Sequence, residues 1–306
     1  MLKLDMVTRV IIFLIILTSS AFANCKDYYN FSEEKIQNIV IKVDKERKFI
    51  IRLNKFFVSH LKNRNLNNFN KKKKFTAKIT VNYIGGNYCI YKAKLRMHGD
   101  NIDHVSRING ETTTSLRVQL KEGNIKNITR FILFKPNSRN YENEIFAATL
   151  LKHLGFLSPR TFKVKVKVFN AESEYIFQED LKKEFLENNN RVEGPILESK
   201  EDDDDYLKMS RVSNKEWIKE NKNKYIVSLN AIQDYNLILL KSYQFKFLGG
   251  GDEFIRFDSK DLSKNTFKKI SIFDAIIFGI NGFHGLSYND RRFYYDPIYS
   301  ELEPIY

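Results

Sequence analysis

Cysteine, proline and glycine are all scarce in this 306-residue chain, which has 2 Cys, 5 Pro and 13 Gly. Two cysteines exclude a disulfide-dense mini-protein and a multi-cysteine zinc module. So little glycine and proline excludes collagen-like and low-complexity chains. Hydrophobic runs of spanning length are missing too. The run from Val10 to Leu17, even extended to Ala23, falls short of the roughly 20 apolar residues that cross a bilayer. No repeat with a period of 20 to 50 residues is present, and no phosphate loop of the form G-x-x-x-x-G-K-[ST] occurs.

Apolar residues are plentiful at 42%, with 14% aromatics, enough to build a core and too many for a disordered tail. Lys and Arg number 51 against 37 Asp and Glu, for a net charge of +14. Such an excess admits a nucleic acid or another anionic surface as partner. The chain is equally crowded with Asn, Ile, Phe and Tyr, so the excess reads mainly as compositional background. Its local parts are a cluster at Lys71 to Lys74 and single cations; the acidic run Glu201 to Asp205 opposes a continuous stripe.

The N-terminus reads as an address label. Lys3 and Arg9 precede the short apolar run, and Ala21-Phe22-Ala23 follows as an A-x-A cleavage signal. This is the layout of a secretory signal peptide cut after Ala23, and the mature chain is expected not to span a membrane. Residues 1–23 carry Lys3, Arg9 and Asp5, so the basic excess survives their removal. Export to the periplasm, the envelope or the medium permits a bridge between Cys25 and Cys89; two separate thiols are the alternative.

Periodicity then divides the mature chain. Residues 24–74 read as a strand (Lys35 to Asp44), a helix (Lys45 to Leu66) and a polar basic connector. Residues 75–180 are rich in strands: a hairpin from Phe75 to Met97 around Gly85-Gly86-Asn87, then Ser115 to Leu120, Arg130 to Phe134 and the hairpin Phe162 to Gln178. A helix from Asn140 to Leu154 intervenes, stopped by Gly155 and Pro159. Residues 181–306 read as mostly helical. The expected class is α+β with two lobes.

Four constellations carry candidate chemistry. The strand end Lys94-Leu95-Arg96-Met97-His98-Gly99-Asp100 gathers groups suited to an anion. His98, Asp100, Asp103 and His104 can also be written as a metal set. Arg117 in a strand and Glu144 on the next helix form a pair of the kind that orients phosphates. Tyr175 to Asp180 places Glu179 at the end of an apolar strand. In the C-terminal run, His284 has the chemistry of a general base, and Asn289 and Asp290 that of cation ligands.

Taken in order, these stretches resemble the CotH family of atypical, secreted protein kinases. The resemblance rests on AKLRMHGD, SLRVQL, RFILFKP with SRNYENEIFAATLLKHLGFLSPRT, VKVKVFN with YIFQED, and HGLSYNDRRFYYDP with LEPIY. It implies a bilobal kinase-like fold, with an antiparallel-sheet N-lobe and a mostly helical C-lobe. It also implies ATP with Mg²⁺ or Mn²⁺, and phosphate transfer to hydroxyls of an exported protein. Arg96, His98 and Gly99 would lie near the phosphates, with Arg117, Glu144 and Glu179 completing the nucleotide site. His284 would stand where the family places a catalytic Asp, with Asn289 and Asp290 near the metal. The substitution of His for Asp, and an expected metal-binding Asp beyond Tyr306, suggest two further expectations. One is a C-terminally truncated fragment. The other is a catalytically impaired pseudokinase acting in envelope binding or assembly. A secreted polyanion-binding protein is the reading from a different class.

Overall fold

The computed structural model describes residues 35–61, 73–99, 102–108, 110–199, 209–250, 254–288 and 290–306. The proposed signal peptide, Cys25, Asp100, Asn289, the lysines at 71 and 72 and the acidic run lie outside the described residues. The chain divides into two compact units. The first takes residues up to Thr129 with Leu133–Lys135 and Val164–Tyr175; the second takes Arg130–Ile132, Pro136–Lys163 and Ile176–Tyr306.

Seven strands close into a barrel in the order β1-β2-β3-β6-β7-β9-β8. They are β1 (Ile36–Val43), β2 (Phe75–Tyr83), β3 (Tyr88–Met97), β6 (Leu116–Leu120), β7 (Arg130–Phe134), β8 (Thr161–Val168) and β9 (Ala171–Glu179). A two-stranded ribbon of β4 (Val105–Ile108) and β5 (Glu111–Thr114) precedes β6. Alternation makes the barrel: Ile39, Ile41, Val43, Ala77, Ile79, Val81, Ala93 and Leu95 are buried, while their neighbours along each strand point outward. Helix α1 (Glu46–Leu61) buries Phe49, Leu53 and Phe56 in the first unit. Phe49 meets the Phe75 ring edge-on at 5.1 Å and Phe169 at 5.9 Å. Burying a side chain of this size contributes about 1.5–3 kcal/mol.

The second unit holds α2 (Glu142–His153), α3 (Lys183–Asn188), α4 (Lys215–Ile218), α5 (Lys222–Phe245) and α6 (Lys264–Gly279). It also holds a four-stranded sheet, β11-β10-β12-β13, built from Ser210–Val212, Ile196–Ser199, Arg292–Asp296 and Glu301–Ile305. Asn221 caps α5 through the Lys224 N–H, and Ser263 caps α6 through the Thr266 N–H. One core packs Tyr235, Ile238 and Leu239 of α5 against Ile270, Leu197 and Phe293.

The expectation of a bilobal kinase fold is overturned. The strand assigned to an N-terminal extension is a barrel stave, antiparallel to β2 and parallel to β8. Those pairings close the sheet, and the parallel one excludes an open antiparallel N-lobe. The mostly helical C-terminal half carries a sheet of its own. Cys89 is buried.

Candidate anion-binding surface

Strands with a charged residue at every second position put all those charges on one face. On β3 the outward side chains are Tyr88, Ile90, Lys92, Lys94 and Arg96. Pairing with β2 and β1 extends them into rows across three staves. Tyr88 faces Asn82, which faces Asn38; Ile90 faces Thr80, which faces Val40. In the next row Lys92 faces Lys78, which faces Lys42, and in the one after it Lys94 faces Thr76. Directly opposed residues have their Cβ atoms about 5 Å apart, and like charges so placed repel.

Three lysines abreast therefore oppose folding. Lys165 and Lys167 extend the basic face on β8, beside Asn38 and Val40 of β1. None of Lys42, Lys78, Lys92, Lys94, Lys165 and Lys167 forms an ion pair among the described residues. Acidic side chains mark the borders: Asp44 follows β1, and Glu172 and Glu174 are exposed on β9. At the head of β3, Arg96 and Arg117 of β6 are themselves directly opposed, and Arg96 Nη1 donates to the Met97 carbonyl at 3.3 Å.

The other predicted site residues divide between the units. His98 packs edge-on against Phe134 at 5.2 Å and lies 5.9 Å from the His104 ring. Gly99 has φ +93°, and a Cβ there would stand 2.0 Å from the His104 ring, so glycine is required for the close approach. His104 Nδ1 shares a hydrogen bond with Ser115 Oγ at 3.0 Å. That serine is fully buried and also accepts the Lys135 N–H, which makes it a structural bracket and not a nucleophile. Arg96, Arg117, His98 and Gly99 all belong to the first unit.

In the second unit Glu144 is occupied by neighbours other than a basic strand residue. Its Oε1 accepts from Gln178 Nε2 at 2.6 Å and its Oε2 from the Tyr306 hydroxyl at 3.2 Å. Burial, and then the Glu144 charge, push the Tyr306 phenol well above its ordinary range. Glu179, 2% exposed, accepts from Arg160 Nε at 2.9 Å and Nη2 at 2.5 Å. Its carboxylate is held in a structural ion pair. His284 is exposed in a turn of 3₁₀ helix, Phe283–Leu286, with its ring 4.8 Å from that of Phe283. Asp290 accepts from Ser287 Oγ at 3.3 Å. Among the described residues no three His, Cys, Asp or Glu side chains converge as a metal would need. Those residues alone do not fit Mg²⁺ or Mn²⁺.

Two features escaped sequence reasoning. The lysine rows were legible as YKAKLR and KVKVKV, which alternate on strands; their alignment across strands was not. The second is Lys135, 4% exposed at the end of β7. Its Nζ donates to Thr113 Oγ1 at 3.3 Å and Ser173 Oγ at 3.1 Å, 4.5 Å from the centre of the Tyr175 ring. Burial pushes its pKa down to about 8. Tyr175, enclosed beside it, is pushed up to about 12 by the same loss of water.

No protein-family model matches the chain, and no curated protein matches it. Among the described residues, no helix is long and apolar enough to cross a membrane.

Proposed function

We propose that this protein binds a polyanionic ligand through the outer face of β1, β2 and β3. The observation that carries the reading is the row Lys42, Lys78 and Lys92, opposed across three staves without a counter-charge among the described residues. Mutual repulsion in such a row is relieved by an anion bridging it. The exposed Lys94, Lys165 and Lys167 widen the contact. An exported location, expected from residues 1–23, belongs to the same proposal.

Heparin, a soluble polyanion, tests it. The wild-type chain is expected to bind with an affinity that falls steeply with salt, because each neutralised site releases a counterion. The variant K42Q/K78Q/K92Q is expected to lose most of that affinity while keeping its fold. Undiminished binding by the variant would overturn the reading.

A second reading, binding of a nucleotide's phosphates, rests on the resemblance of the ordered stretches and on the opposed Arg96 and Arg117. It predicts that millimolar ATP raises the melting temperature. A flat titration would remove it.

A further inference from the structure

We infer that the polyanion is the surface of an anionic lipid bilayer, and that the β2–β3 hairpin tip enters its headgroup region. This rests on the anion-binding reading above and adds a direction to it. The outward side of β3 is graded along the strand. The tip carries Ile84, 62% exposed in the turn, followed on β3 by Tyr88 at 40% and Ile90 at 38%. Two residues further along β3 begins the lysine row, and Lys94 follows. Along β3 the tip, the apolar pair Tyr88 and Ile90, and the lysines therefore succeed one another at about 7 Å per two residues, with Lys165 and Lys167 of β8 level with that pair across β1 and β2.

That order matches the layering of a membrane interface. Apolar and aromatic side chains are favoured at the acyl boundary, and lysines reach the phosphates above it. The turn lets the tip protrude. Gly85 and Gly86 lack side chains, Gly86 has φ +83°, and an added Cβ there would meet nothing within 4 Å. Three backbone bonds hold the turn: Tyr83 N–H to the Asn87 carbonyl at 2.9 Å, Gly86 N–H to the Tyr83 carbonyl at 3.1 Å, and Ile84 N–H to the Lys35 carbonyl at 3.0 Å. Lys35, exposed, stands beside the tip as a further cation.

A free polymer such as a nucleic acid has use for the lysines but not for exposed isoleucines. Base recognition on single strands needs a series of stacking aromatics, and Tyr88 is the one aromatic side chain exposed on this face of β1, β2 and β3. Charge complementarity with an apolar leading edge favours the lipid surface.

Vesicle sedimentation, run beside heparin binding, tests this. The full chain is expected to sediment with vesicles of phosphatidylglycerol and phosphatidylcholine and to stay in solution with phosphatidylcholine alone. I84S/I90S is expected to weaken vesicle binding by about tenfold or more, since it removes apolar area that would enter the interface, and to leave heparin binding unchanged. K42Q/K78Q/K92Q is expected to lose both. Heparin binding without vesicle binding, or vesicle binding indifferent to I84S/I90S, would overturn the lipid assignment and leave the anion-binding reading standing. A preference for single-stranded RNA over vesicles would do the same. Loss of heparin and vesicle binding alike in the wild-type chain would overturn both.

Discussion

Lys135 shows what burial does to one amine. Its Nζ donates to two neutral hydroxyls, burial strips water from the charged form, and the pKa falls to about 8. The unfolded chain, with an ordinary lysine near 10.4, binds the proton more tightly. Between pH 8 and 10 the unfolded state therefore holds more protons, and this group's penalty shrinks as pH rises. Urea unfolding of wild type and K135M should show the wild type gaining on the variant over that interval, by up to ~3 kcal/mol. A difference independent of pH would refute the account of Lys135. Arg160 poses the opposite case, a buried charge that is matched. R160M strands the Glu179 carboxylate and is expected to cost about 3–5 kcal/mol, while R160M/E179L recovers most of it. A double variant as unstable as R160M would show that the pair does not act as one.

At the level of elements, local periodicity made much of the barrel readable. The strands around Phe75 to Met97 and Phe162 to Gln178 follow from alternation and from the Gly85-Gly86-Asn87 turn, and Arg130 to Phe134 from a short apolar run. What periodicity cannot carry is register. Nothing within Ile36–Val43 announces that it pairs with β8 far along the chain, yet that pairing closes the barrel and overturns the expectation of a kinase-like fold with an open antiparallel-sheet N-lobe. The short strands Ile196–Ser199 and Ser210–Val212 escaped for a related reason: each is too brief to show a period. The candidate face has the same history. Each strand's lysines were visible, but only the pairing aligns Lys42, Lys78 and Lys92. The Gln triple variant is thus expected to melt no lower than wild type, since it relieves like-charge opposition. A marked drop in its melting temperature would mean that the row has a structural partner.

For the whole molecule, the +14 charge changes meaning once the strands are paired. As a bare count it fits a compositional background; on the barrel, part of it becomes a surface. The resemblance to secreted kinases called for Arg117 with Glu144 and for His284 with Asn289 and Asp290. Glu144 instead holds Gln178 and Tyr306, Glu179 holds Arg160, and Asn289 lies outside the described residues. The lysine face stands on its own geometry in one unit. Its most direct test is the salt dependence of heparin binding by the wild-type chain. Four to six neutralised lysines predict a loss of affinity on the order of 10² to 10³ between about 50 and about 200 mM salt. An affinity that stays flat across that range would contradict the anion-binding account.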